Sequence, residues 1–148
     1  MGKHVHTFLF REGKWDAKGD YFNEVGQKIA FVGEANITHT EKCWKNNSFM
    51  RLLVGDDVEF NNSYEFEPIR EGDDFCRWKS YNPDLGELEG KLVVVGDVLL
   101  LSFCCSSGHY EGFEYLQMVS DTHYNNKGVL YMGNVKLSSW SSELKKSK

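Results

Sequence analysis

Long apolar runs are missing from this sequence of 148 residues. No stretch approaches the roughly 20 consecutive apolar residues that a membrane-spanning helix needs. The start of the sequence has too short an apolar block for a secretory signal, and no small-residue cleavage pattern follows it. We therefore expect a protein that has no membrane span and resides in the cytoplasm.

Basic residues are in the minority. The chain has 17 Lys and Arg against 22 Asp and Glu, which gives a formal net charge of −5. Binding to a phosphate backbone depends on clustered Lys and Arg, so this balance argues against a nucleic-acid partner. The basic cluster at residues 145–148 is expected to be a solvated end of the chain.

The spacing of the cysteines argues against a zinc site and against a thioredoxin-like redox site. The four cysteines are Cys43, Cys76, Cys104 and Cys105, and none forms the C-x-x-C pattern of zinc or thioredoxin chemistry. We expect them to be reduced. His4 and His6 are too few to hold a metal without a third partner, so no metal site is predicted.

Prolines number only two, and no segment has the periodicity of a long amphipathic helix. Turn signals instead separate segments rich in Val, Phe, Tyr, Trp and Leu, which is typical of antiparallel strands joined by short loops. The signals are Gly55-Asp56-Asp57, Gly72-Asp73-Asp74, Asn82-Pro83-Asp84, Gly96-Asp97, Ser106-Ser107-Gly108 and Asn125-Asn126-Lys127-Gly128.

The pattern predicts an all-β fold, a single antiparallel up-and-down β-barrel of about 8–10 strands. An open sandwich of the immunoglobulin type is the structural alternative. We divide the chain into an N-terminal segment (1–12), the barrel domain (13–141) and a flexible basic tail (142–148). Nine strand segments are predicted, at 14–22, 27–40, 44–54, 58–68, 74–81, 85–95, 98–105, 109–119 and 129–140.

A Gly-x-Trp motif, Gly13-Lys14-Trp15, opens the first predicted strand. With this motif the chain resembles the calycins, the group that includes lipocalins, fatty-acid-binding proteins and avidins. Together with the later in-strand glycines and Ile37-x-His39, the motif also looks like the opening of bacterial lipocalin-like domains of undefined function. The resemblance implies a lipocalin-like barrel in which Trp15 packs across the closed end. The chain lacks the Arg-x-Tyr carboxylate clamp of intracellular fatty-acid-binding proteins.

His39 is the first candidate for contact with a ligand. It shares a strand face with Phe31, Ala35 and Ile37, so the alternation aims its imidazole inward or at the barrel rim. Such a histidine could bind a polar group, act as a general base or ligate haem iron. The alternative is a core or rim histidine satisfied by one backbone carbonyl.

Arg51 is the second candidate, because an inward guanidinium would anchor a carboxylate or phosphate. The opposite register places it in solvent, since charges seldom enter a core unpaired. Aromatic side chains supply surface for lining an apolar cavity, or they simply fill it. These aromatic candidates are Trp44, Tyr64, Phe66, Trp78 and Tyr110, with Tyr124 beside them.

The leading hypothesis is non-enzymatic binding of a small hydrophobic or amphipathic ligand inside the barrel. The first alternative is an isomerase or lyase that acts on a small hydrophobic substrate in the same cavity, with His39 as acid or base and a Tyr or Glu assisting. The second is a filled barrel that serves as a protein-interaction or assembly module. No spacing typical of catalytic residues is present, no cofactor is identified, and both a monomer and a homodimer fit the sequence.

Overall fold

A computed structural model describes residues 6–55, 58–83, 85–105 and 109–147. Every regular element in these ranges is a β-strand. The strands are β1 (Gly13–Phe22), β2 (Lys28–His39), β3 (Trp44–Leu52), β4 (Val58–Phe66), β5 (Phe75–Asn82), β6 (Gly86–Val95), β7 (Val98–Cys105), β8 (Tyr110–Ser120), β9 (His123–Met132) and β10 (Val135–Lys146). The described residues contain no helix long and apolar enough to cross a membrane.

The strands form one closed antiparallel barrel in which each pairs with its neighbours along the chain. Closure comes from β1 and β10, whose register runs from the pair Trp15 and Lys146 to the pair Phe22 and Ser139. The predicted up-and-down barrel is confirmed, and the open sandwich is excluded. Because each strand follows its neighbour, the turns alternate between the two ends of the barrel.

The predicted segment 129–140 proves to be parts of two strands. Residues 125–128, predicted as a turn, lie in the middle of β9. The actual reversal is at Gly133, whose φ of 59° is a left-handed value that favours glycine. Over the part of the chain that the structure describes, the barrel therefore has ten strands rather than the nine predicted segments.

The predicted tail also needs correction. Residues 142–146 continue β10, and Ser142, Glu143 and Leu144 pair with Gly19, Lys18 and Ala17 of β1. A strand carries Lys145 outward without cost, because successive side chains point to opposite faces. The basic end of the chain thus completes the barrel wall, while Lys148 lies outside the described residues.

The pleat separates an apolar interior from a polar exterior. In β5, Cys76, Trp78, Ser80 and Asn82 are buried, and each residue between them is exposed. The same alternation brings apolar side chains from the other strands into one continuous core.

The N-terminal segment closes one end of the barrel. Phe8 and Leu9 are buried there, and Trp15 is completely buried. The ring of Trp15 meets Phe8 and Tyr124 edge-on, each with its centroid 5.5 Å away. Trp15 therefore occupies the closed-end position that the calycin resemblance implies.

Tyr124 ties this segment to the barrel. Its hydroxyl accepts hydrogen bonds from the backbone N–H groups of Thr7 and Phe8, at 3.0 and 3.3 Å. His6 Nδ1 lies 2.8 Å from the same hydroxyl, while His6 Nε2 lies 2.9 Å from the carbonyl of Gly96. A carbonyl only accepts, so Nε2 carries the proton and Nδ1 accepts from the tyrosine. His6 is buried at this closed end of the barrel, with both ring nitrogens in hydrogen bonds.

Replacing Tyr124 with Phe should lower the free energy of unfolding by about 1–3 kcal/mol, because buried backbone donors lose their acceptor. Urea denaturation measures the loss, and hydrogen exchange should accelerate at the amides of Thr7 and Phe8. Tyr131→Phe, on the same strand but outside the core, is the matched control. Equal effects of the two substitutions would contradict this role of Tyr124.

Candidate ligand-binding cavity

The interior of the barrel contains a cavity of about 510 Å³. Its lining extends from Phe8 at the closed end to Glu24 in the β1–β2 turn and Leu85 in the β5–β6 turn, at the other end. The interior of this barrel is therefore not filled by its own side chains. A space of this size accommodates a small organic molecule.

One wall of the cavity is aromatic. The ring centroid of Trp78 lies 5.6 Å from that of Tyr64, 5.9 Å from Phe66 and 6.0 Å from Phe103. All four side chains line the cavity, and these separations are those of favourable aromatic pairs. They present a broad apolar surface to anything inside.

Inward-facing glycines make room for the large rings. A Cβ at Gly90 would overlap the indole of Trp78, and one at Gly128 would overlap the indole of Trp140. Each glycine is the cross-strand partner of the tryptophan that covers it. The rings therefore lie flat along the wall, and the centre of the barrel stays open.

A carboxylate lies among these apolar groups. Glu114 of β8 is half-buried and lines the cavity. Its Oε2 accepts hydrogen bonds from Trp140 Nε1 at 3.2 Å and from Asn126 Nδ2 at 3.3 Å. The missing side chain at Gly128, between β8 and β10, lets the indole of Trp140 reach across β9 to this carboxylate.

Asn126 is itself held in place. Its Nδ2 also donates to the carbonyl of Tyr115 at 2.9 Å, and its Oδ1 accepts from Ser142 Oγ at 3.3 Å. The amide orientation is thus fixed by partners on two strands, and it directs a donor at Glu114. These bonds join three side chains into a polar strip on the cavity wall, which consists of Glu114, Asn126 and Ser142.

Burial raises the pKa of Glu114, and the hydrogen bonds from Asn126 and Trp140 oppose that rise. Burial also raises the pKa of Tyr64, and the nearby charge of Glu114 adds to the effect. Tyr64 and Glu114 therefore interact electrostatically within the cavity. At neutral pH the phenol of Tyr64 stays protonated and available for hydrogen bonding.

No Lys, Arg or His belongs to the cavity lining over the residues that the structure describes. Three glutamates do, but two of them have other surroundings. Glu24 is exposed in its turn, and Glu34 lies 3.5 Å from Lys14, which is on the outer face. Glu114 is left as the carboxylate that faces the interior.

Three of the predicted ligand-binding residues, Tyr64, Phe66 and Trp78, come together in the aromatic wall of the cavity. His39 and Trp44 lie elsewhere, at the closed end. His39 Nε2 donates to the carbonyl of Leu9 at 2.7 Å, and its ring stacks on Trp44 at 4.4 Å. This is the arrangement of the alternative considered for His39, a histidine satisfied by a backbone carbonyl.

Arg51 and Tyr110 are also outside the lining of the cavity. Arg51 is exposed on the outer face of β3, where its cross-strand partner is Glu59. The outward register keeps its charge solvated, so it offers no anchor inside the barrel. Tyr110 is half-buried and packs against the core.

Glu114, Trp140 and Asn126 were not among the residues predicted from the sequence. A signal for Glu114 exists, because it alternates in phase with Gly112 and Leu116, both of which are buried. Asn126 carried no such signal, since it was assigned to a turn.

No known protein-family model matches the sequence, and no curated protein matches it either. Solved structures do. Rv2717c from M. tuberculosis has a TM-score of 0.71 at 10% identity, over 93% of this chain and 92% of that protein. The S-type phycobiliprotein lyase CPES from Guillardia theta has a TM-score of 0.67 at 11% identity, over 95% and 91%.

This chain has a lipocalin-like fold. A third similar structure is the barrel EF1p2_mFAP2b bound to DFHBI, with a TM-score of 0.53 at 10% identity, over 96% of this chain and 98% of that one. At such identities the likeness concerns the fold alone.

Replacing Glu114 with Gln should stabilise the ligand-free protein at neutral pH. When folding raises the pKa of a carboxyl, the free energy of unfolding of the protein falls as pH rises, because that carboxyl ionises at a lower pH in the unfolded chain. Gln does not titrate, so the stability difference between E114Q and the original chain should shrink as pH falls below about 4, where the carboxyl becomes protonated in both states. Urea denaturation across this pH range measures it.

Glu111→Gln is the control, because it makes the same change on the exposed face of the same strand. A stability difference between E114Q and the original chain that does not vary with pH would contradict the assigned environment of Glu114.

Proposed function

We propose that this protein binds a small, mostly apolar ligand inside the barrel and is not an enzyme. The observation that carries the proposal is the cavity of about 510 Å³, with its aromatic wall and the polar strip of Glu114, Asn126 and Ser142. Burial of the ligand's apolar surface would supply most of the affinity, at ~25 cal/mol per Å² before the costs of ordering. The polar strip would set the orientation of the ligand.

A similar barrel supports this proposal. The structure of EF1p2_mFAP2b is one in which the protein is bound to DFHBI. A barrel that aligns with this chain over nearly its whole length can therefore hold a small molecule. The lyase from Guillardia theta shows that this fold also serves proteins named as enzymes.

The enzymatic alternative loses the residue on which it was based. His39, its acid or base, contacts Leu9 and Trp44 at the closed end and is not part of the cavity lining. The filled-barrel alternative conflicts with the volume of the cavity. Binding without turnover is the function that the geometry supports best.

We also propose a cytoplasmic location. Cys43, Cys76 and Cys104 form no disulfide, and Cys104 is exposed. Exposed cysteines outside disulfides fit a reducing compartment better than an oxidising one. Whether the protein is a monomer or a homodimer stays a prediction, as does the absence of a nucleic-acid partner.

Blocking the cavity should weaken binding of an apolar probe. Ser48 lines the cavity, and Ser48→Phe places a ring in it. We expect this variant to bind the neutral fluorophore N-phenyl-1-naphthylamine with an affinity at least about tenfold lower, a loss of about 1.4 kcal/mol. Fluorescence titration measures the dissociation constant.

Ser102→Phe is the matched control, because Ser102 is exposed on the outer face of β7. Its affinity for the fluorophore should equal that of the original chain. Failure of the original chain to bind, or equal losses in both variants, would contradict binding inside the barrel.

A further inference from the structure

We propose that the cavity selects ligands with a nitrogen head group that donates hydrogen bonds to Glu114, and that a protonated amine is the preferred head. The inference rests on the proposed function, because it assigns the chemical class of the ligand that enters the same cavity.

The two oxygens of Glu114 are in different situations. Oε2 accepts from Trp140 and Asn126, which fixes the carboxylate plane. Oε1 has no hydrogen-bond partner among the residues that the structure describes. A carboxylate has lone pairs on both oxygens, so Oε1 is an acceptor with its position already fixed. A hydrogen-bond donor on a ligand would give Oε1 a partner.

The charge of the site points to the same class. The described lining contributes no cation to neutralise Glu114. When Glu114 is ionised, an acidic head group would meet a like charge without a compensating Lys or Arg, which is unfavourable in a poorly solvated site. A protonated amine supplies the missing opposite charge. Charge-assisted hydrogen bonds of this kind are stronger than neutral ones.

The surrounding groups suit such a head. Tyr64 is close enough for the charge of Glu114 to affect it, and its ring belongs to the aromatic wall with Trp78. Aromatic faces attract a cation, and they also pack against a flat apolar body. The ligand class is therefore an apolar, preferably aromatic, molecule that carries an amine.

Three probes of nearly equal size test the proposal. They are 2-naphthylmethylamine, 2-naphthylmethanol and 2-naphthoate, which present a cationic, a neutral and an anionic head on one ring system. Isothermal titration at neutral pH gives each affinity. We expect the amine to bind about tenfold more tightly than the alcohol or better, since a hydrogen bond to a charged group contributes about 1.5–3 kcal/mol. The carboxylate should be the weakest of the three.

In E114Q the affinity for the amine should fall to within about threefold of that for the alcohol. Gln retains an oxygen for Trp140 and Asn126, so the variant preserves those contacts. Glu111→Gln, which removes an exposed charge from the same strand, should keep the full preference. This control separates the local carboxylate from the net charge of the protein.

The outcomes distinguish the two proposals. If the alcohol binds but the amine binds no better, or if E114Q retains the preference, the role of Glu114 is overturned and cavity binding stands. If none of the three probes binds to the original chain, both proposals are overturned. The affinities of the original chain alone are decisive if E114Q does not fold.

Discussion

Closure of the sheet between β1 and β10 is the constraint on which the rest of this structure depends. The eight residue pairs between these strands leave no open edge and give every strand an inside and an outside. Because the wall is continuous, the size of the interior depends on the side chains that point inward. The stretch after residue 141, which has the composition of a solvated tail, is required for this closure.

The two ends of the barrel use their inward residues differently. At the closed end, Phe8, Trp15 and Tyr124 pack edge-to-face, and the tyrosine hydroxyl secures the N-terminal segment. Farther along, inward glycines let Trp78 and Trp140 lie against the wall, so space remains between them. Glu114 occupies that region and is oriented by its neighbours. A rigid floor and an open interior are what a binding barrel requires.

Simple alternation was sufficient to predict much of this fold. In β4, Glu59, Asn61, Ser63 and Glu65 mark the solvent face, and the opposite face is inward as expected. The phase of His39 was also correct, but β2 extends beyond the cavity, so the imidazole reaches the floor instead. The position of a side chain along the barrel axis depends on the register between all strands, and the sequence of one strand does not encode that register. β9 was missed because Asn126 and Gly128 resemble a turn. Their roles, holding Glu114 and making room for Trp140, exist only after β8 and β10 are in place.

The central claim is that a ligand sits inside the barrel with its nitrogen on Glu114. A crystal structure of the protein with 2-naphthylmethylamine would test it most directly. The account predicts the naphthalene ring against Trp78 and the amine nitrogen about 2.7–3.2 Å from a carboxylate oxygen of Glu114. Density for the probe on the outer surface, an interior closed by side chains, or an amine directed away from Glu114 would contradict it.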